Sequence, residues 1–528
     1  MNLLLALGGA LGVAMHHGLF IHGEWHVQAP NILLGHIVAF ALLHVFIDSS
    51  LISLSIITSY LFSLLSSITI YRVFFHPLRH FPGPVGARIT KLWHVWKVRD
   101  SRNYRVLEEL HAQYGDFVRT GPNELTIFHP DIFMAIDGPK SNCIKAEWYD
   151  LLHPKLSLVT SRVKETHAAR RRQWNRGFTS KSLDQYITKI LPYITQLEHR
   201  IDADIQLNHT SEITDLFYWF GFDTMGDFVF NKSFDMLRRN EWHFVVVLLR
   251  RAMSILGPLS PAPWFVQIAF KLFPRVWILG DWFRMVAWCE GQMRERMKLP
   301  ENKTQTPDVA HHLLQAAKTN TADWPWLSGD SILAIVAGSE PTATTLIGIF
   351  CELARSPHHA ELIYREIQTV DVCDPRALAK QCPYLEAVIA EALRVYPALP
   401  TGGDRKTMEE VVVGGVRVPR GTTVVAPRWS IFRREDSFTR PTEFLPERWY
   451  GKEEMVRNRA AYAPFGTGHH SCLGRFLAMD EMRLVTARLV KKYHFRMPPG
   501  ETGECVLRDM RDQFTATPGR LRVRFELR

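Results

Sequence analysis

Ten residues of the C-terminal quarter carry the most reactive group in an informative setting: Phe465-Gly466-Thr467-Gly468-His469-His470-Ser471-Cys472-Leu473-Gly474. A cysteine follows a glycine-rich turn and opens an apolar helical pattern, Leu473 to Met479. Backbone N–H groups and the dipole at a helix start favour thiolate over thiol, so Cys472 is expected to have a lowered pKa and to serve as a metal ligand. Gly466 and Gly468 allow backbone to approach a flat ligand closely, and Gly474 removes a side chain where the helix crosses that ligand's face. A buried, inert cysteine is the bland alternative. The aromatic and the three glycines at this spacing speak against it.

The other cysteines do not compete for that role. There are seven in all, widely scattered, with no C-x-x-C pair that would indicate zinc or a dithiol centre. They read as free thiols in a reducing compartment. A chain of 528 residues with 46% hydrophobic and 22% charged residues describes an ordinary globular body, and composition names no activity. The net charge of +10 suits an anionic membrane surface or an acidic protein partner. Nucleic acid is disfavoured, because the basic residues are spread along the chain rather than interleaved with a reader's aromatic or motif features.

The segments that must hold the cysteine loop follow in chain order. Residues 1–75 contain apolar runs at Leu3 to Met15, Ile32 to Ile47 and Leu51 to Phe75. The third includes ~20 residues without a charge, enough to span a bilayer as a helix, so this region is read as a retained anchor of one to three transmembrane helices. Arg72 and Arg79 follow the third run, and the positive-inside tendency then puts the remainder in the cytosol. Residues 76–90 are proline-rich and predict an extended, stiff connector. From 91 to 528 the pattern is mainly helical, with short strands expected at Asp116 to Arg119, Glu124 to Phe128, Val411 to Val418, Thr422 to Ala426 and Leu521 to Phe525. The apolar, proline-broken stretch Gly257 to Phe270 belongs either in the core or dipped into the bilayer. A long helix is expected from Ser328 to Arg355, with Asp330 in its first turn.

Three of these segments, with the cysteine loop, resemble the motifs of the haem-thiolate monooxygenases, the cytochrome P-450 family. The loop matches Phe-x-x-Gly-x-Arg-x-Cys-x-Gly except that His470 stands at the arginine, and the resemblance makes Cys472 the axial ligand of a haem b iron. Histidine at 470 would make a propionate contact depend on pH. Glu391-Ala392-Leu393-Arg394, with Arg448 in Phe444 to Trp449, resembles the family's buried Glu-Arg-Arg triad. Ala337-Gly338-Ser339-Glu340-Pro341-Thr342 resembles the oxygen-groove motif, with Pro341 replacing the threonine that takes part in proton delivery; Glu340 and Thr342 become candidates for that task. In the segment His167 to Arg176, the register gives His167 and Arg171 haem-propionate positions, with Arg405 a further one. Arg170, Arg172 and Arg176 read as a solvated basic face that could receive an acidic flavoprotein reductase.

The resemblance covers residues 76–528 and implies a mainly α fold with small β-sheets behind N-terminal transmembrane helices. It implies a monooxygenase at the endoplasmic reticulum membrane, fed with electrons from NADPH through a separate reductase. The expected substrate is lipophilic, in the manner of fungal secondary metabolites such as a terpenoid, alkaloid or polyketide. A haem-thiolate isomerase or peroxide-using enzyme, or a membrane haem protein for electron transfer or sensing, are the alternatives.

Overall fold

The computed structural model describes residues 2–298, 309–319 and 324–528. Three N-terminal helices are long and apolar enough to cross a membrane: α1 (Asn2–Met15, continuing to Phe20), α2 (Ala29–Ile47) and α3 (Ser50–Ile70, continuing to Phe75). They pack as a bundle through small residues, as helices must where lipid offers no hydrophobic drive. A Cβ at Gly12 would lie 2.4 Å from the Tyr60 carbonyl oxygen, and one at Gly8 3.0 Å from that of Ile56. Along α1, Leu5 accepts from Ser59 Oγ (2.9 Å), and His16 Nδ1 lies 2.7 Å from Ser67 Oγ. Contact numbers therefore rise together in α1 and α3, and the two helices run parallel.

The connector is extended only in part, as at Phe81 and Pro84. Pro77–His80 forms a 3-10 turn and Val85–Ile89 a short helix, with Leu78 and Ala87 fully buried. It is fastened to β1 (Phe117–Gly121): Arg119 N donates to the Pro82 carbonyl (2.7 Å), and Gly83, at φ +153°, lies where a Cβ would be 2.4 Å from Arg119 O.

The body is helical with small sheets. Its elements near the site are β2 (Glu124–Ile127), α4 (Ile132–Asp137), β3 (Ile144–Lys145), α5 (Lys164–Asn175), α6 (Ile213–Phe230), α7 (Pro263–Leu272), α8 (Trp324–Arg355), α9 (Pro383–Val395), β4 (Arg405–Lys406), β5 (Val411–Val413), β6 (Val416–Val418), β7 (Thr423–Val425), α10 (Arg475–Lys492), β8 (Arg511–Gln513), β9 (Thr515–Thr517) and β10 (Arg522–Leu527). The largest sheet has the order β1-β2-β7-β4-β3, with β2 and β7 parallel. Residues 411–418, expected as one strand, are a hairpin turning at Gly414 and Gly415, both at positive φ.

The central helix, α8, begins at Trp324, four residues earlier than expected, and is continuous through Pro341. Although apolar enough for a membrane span, it lies within the body, with most residues buried. Asp330 is accordingly not a first-turn cap. It is fully buried, accepts from Leu158 N (2.7 Å) and pairs with Arg170 Nε at 2.6 Å. This corrects the reading of Arg170 as solvated: it is buried on α5, whereas Arg172 and Arg176 are exposed.

Arg170→Leu strands the Asp330 carboxyl and should cost about 3–5 kcal/mol, while Arg170→Leu with Asp330→Leu should recover most of that loss. Thermal denaturation of the two variants measures it; equal melting temperatures would contradict the pairing.

Candidate active site

Local constraint shapes the cysteine loop. Gly468 has φ +58°, and a Cβ there would fall 1.8 Å from the carbonyl oxygen of Asp137, so only glycine fits against the end of α4. Gly466 also has positive φ (+67°). Cys472 N donates to Phe465 O at 2.7 Å, closing the loop, and Thr467 Oγ1 donates to Phe133 O. Phe465 itself packs partly on the core, 5.7 Å from the Arg475 guanidinium. The helix α10 starts at Arg475 with Gly474 as its N-cap, so Cys472 stands just before it.

Cys472 has open surface, yet protein surrounds it. The expectation of a lowered thiol pKa is not met by the protein alone. Burial pushes the thiol up, against the Gly474 N–H and the charges of Arg171 and Arg475. A metal bound to the sulfur would favour the thiolate. Gly474 supplies a second indication. Its φ of −80° is open to any residue, and an added Cβ would meet only Phe178, at 4.0 Å. No protein atom requires glycine there; a flat group laid against the loop would. Ala337, in the middle of α8, is likewise accessible although most of that helix is buried.

Around the loop, cations outnumber anions. Lys145 is buried and donates to Leu158 O; Arg171 Nη1 donates to Ser471 O at 2.7 Å. His167 and His470 have ring centroids 4.7 Å apart. Burial, then Lys145 and the neighbouring arginines, lowers His167 to about 3; burial, then Arg405 and Lys145, lowers His470 to about 2. In the protein alone His470 is thus a neutral imidazole, whose buried Nδ1 has no hydrogen-bond partner among the described residues. Excess positive charge, an orphaned ring nitrogen and an accessible thiol together fit a flat metal complex bearing acidic side arms.

Arg405 is less available than expected. Its Nε and Nη2 bind Asp137 (2.6 and 3.3 Å), and Nη1 donates to Tyr149 OH and to the carbonyls of Gly403 and Asp404. Arg428 was not singled out in the sequence; it is buried and bonds to the carbonyls of Gly402 (2.8 Å) and Ala463 (3.2 Å). Nothing but its place between prolyl and aromatic neighbours marks it.

The three charged residues Glu391, Arg394 and Arg448 meet with no side-chain exposure. Glu391 binds Arg394 Nε (3.0 Å) and Nη2 (2.8 Å), and Arg448 Nε (2.9 Å). It also accepts from Leu445 N and from Trp449 Nε1, the latter a partner the sequence reading missed. Burial opposes ionisation, but Arg394 and Arg448 hold the carboxyl below its ordinary range. Both arginines then grip carbonyls of the meander before the loop, at Phe432, Pro441, Glu443, Thr439 and Arg440.

On α8, Ser339 Oγ donates to Gly221 O of α6, and Thr342 Oγ1 turns back to Gly338 O (3.3 Å) while facing Glu481 of α10. Glu340 accepts from the Thr515 hydroxyl of β9, and burial raises its pKa against that bond and the charge of Arg250. Pro341 has no N–H to give the Ala337 carbonyl. Beside α8 lies an apolar cavity lined by Leu151, Val266 and Phe270 of α7, Ile332, Val336 and Phe514, among others.

A model of the cytochrome P450 family matches residues 82–525, and the chain belongs to that family. It is a haem-thiolate monooxygenase whose cofactor is haem b. A cytochrome P-450 monooxygenase of Aspergillus versicolor is 34% identical over 98% of this chain and 96% of its own length. One from Fusarium pseudograminearum is 35% identical over 96% and 94%. Tryprostatin B 6-hydroxylase of Aspergillus fumigatus is 33% identical over 94% and 92%.

Glu391→Gln should lower stability by about 3–5 kcal/mol, since two buried guanidinium groups lose their anion. Chemical denaturation followed by haem absorbance checks this; a midpoint equal to wild type would show that Arg394 and Arg448 do not depend on Glu391.

Proposed function

We propose that Cys472 ligates the haem iron, that His167, Arg171, Arg405 and His470 form the propionate side of the haem site, and that Phe465, Gly468 and Gly474 shape its cysteine face. The observation that carries this is the accessible Cys472 thiol, beside a glycine whose added Cβ would meet only Phe178 at 4.0 Å and beside the basic side chains of Lys145 and Arg171. When bound, haem supplies activation of dioxygen, with electron density pushed from the thiolate. The chain's own work is to bind an apolar substrate against α8, exclude water and deliver protons.

The substrate is a lipophilic small molecule oxidised in fungal secondary metabolism, in keeping with the tryprostatin hydroxylase among the relatives and with an apolar cavity of aromatic and aliphatic walls. Electrons come from NADPH through a flavoprotein reductase of the endoplasmic reticulum membrane, with the body in the cytosol. Arg172 of α5 and Arg176 just after it remain exposed for such a partner; Arg170 does not.

Proton delivery has moved from position 341. Proline cannot offer a hydroxyl, and Thr342 is turned to Gly338 O and Glu481. Glu340, a carboxyl held above its ordinary range and touching a hydroxyl, is the better proton carrier. A hydroxyl on the substrate completes the path to the reacting centre, so coupling should be tightest with the true substrate.

Cys472→Ser should fold in the membrane yet show no NADPH-dependent oxygenation; retained turnover would remove Cys472 from the ligand role. Peroxide released per NADPH separates the proton routes. Glu340→Gln should slow coupled turnover by roughly 10²-fold or more, whereas Thr342→Ala should stay within about twofold of wild type because its hydroxyl is already engaged. Collapse in Thr342→Ala alone would assign the relay to Thr342.

A further inference from the structure

The linker between the first two spans, residues 21–28, is bound to the catalytic body. Glu24 binds Arg162 Nη1 and Nη2 (2.7 and 3.0 Å) and Lys406 Nζ of β4 (2.5 Å). His26 Nε2 lies 2.8 Å from Asp150 Oδ2, and Arg162 also pairs with Asp150. Burial opposes the Glu24 charge, but Arg162 and Lys406 overcome it and hold the carboxyl at about 2. Glu24, His26 and Asp150 lie close enough to hold a metal ion. Arg162 and Lys406 already fill that role, which makes the cluster an ionic fastening.

Two consequences follow from geometry. Because α1 and α3 run parallel, the end of α1 is on the same side of the bundle as the end of α3, where the body begins; the start of α1 and the turn at Asp48 and Ser49 are on the other. The same Asp150 that receives His26 offers its carbonyl, with that of Leu151, to Gln267 Nε2 of α7, both at 2.8 Å. Leu151, Leu152, Val266 and Phe270 line the apolar cavity, and Lys271 of α7 donates to Asn31 of α2 at 2.6 Å.

We infer that the chain crosses the bilayer three times with residues 21–28 on the body's side, and that Glu24 and His26 clamp this linker to residues 147–152 and α7, fixing the membrane-side wall of the cavity. The assignment of that cavity to substrate rests on the function proposed above; the topology and the clamp do not. Glu24 is a positioning residue in this account. It acts through Arg162, Lys406 and Asp150 rather than on substrate.

Two readouts on the full-length protein test it, neither needing a substrate. In microsomes, a glycosylation acceptor in a flexible extension ahead of α1 should be modified, and the same insert after Gly23 should not. In haem-loaded protein in lipid nanodiscs, Glu24→Arg should speed amide exchange by roughly tenfold in 147–152 and α7, the loss of about 1.4 kcal/mol of local stability. The buried α9 should be unchanged. Glu24→Gln should fall between wild type and Glu24→Arg, and it replaces Glu24→Arg in the comparison if that variant loses haem. Modification after Gly23, or of neither insert, overturns the topology. Faster exchange confined to 21–28, or none, overturns the clamp.

Discussion

A carboxylate removed from water persists only when every lone pair is engaged, and Glu391 meets that condition with two guanidinium groups, an indole N–H and a backbone N–H. The consequence reaches beyond α9. Arg394 and Arg448 use their remaining donors on five carbonyls of the irregular chain between Phe432 and Glu443, a stretch with little regular structure to satisfy its own backbone. That stretch leads into the cysteine loop. The loop's position therefore depends on one buried charge cluster as well as on its glycines.

Much of this was legible in the sequence, for definite reasons. The cysteine loop shows because positive φ, close backbone approach and a helix start each demand particular residue types at fixed spacing. The triad shows because charges at i and i+3 amid apolar neighbours are hard to explain at a surface. What the sequence hid depends on pairing across distance. Arg170 looked solvated because its partner, Asp330, is 160 residues away. Arg405 gave no sign of its pairing with Asp137, which lies on another element 268 residues away. The low pKa of His470 in the protein alone arises from burial and from Arg405 and Lys145, which lie on other elements. Residues 411–418 read as one strand because the valine-rich run was not divided at Gly414-Gly415, a pair that itself signals a hairpin. The start of α8 was placed four residues late, although Asp323 and Pro325 on either side of Trp324 are the residue types that mark a helix start.

The anchor shows a related limit. Hydropathy identified three apolar runs but left their number as spans open. The glycine contacts between α1 and α3 make them a packed bundle, and the ionic contacts of residues 21–28 tie that bundle to the body. The anchor also touches an element of the cavity wall: Asn31 of α2 accepts from Lys271 of α7, the helix whose Val266 and Phe270 line the cavity.

The central claim is that the Cys472 thiol, whose pKa is raised in the protein alone, becomes a thiolate by ligating haem iron. The most direct measurement is the absorption spectrum of the reduced wild-type protein under carbon monoxide. The account predicts a Soret band strongly shifted to the red, which would require an anionic sulfur ligand from Cys472. A band at the position given by imidazole or neutral thiol ligands, in protein with full haem content, would contradict it.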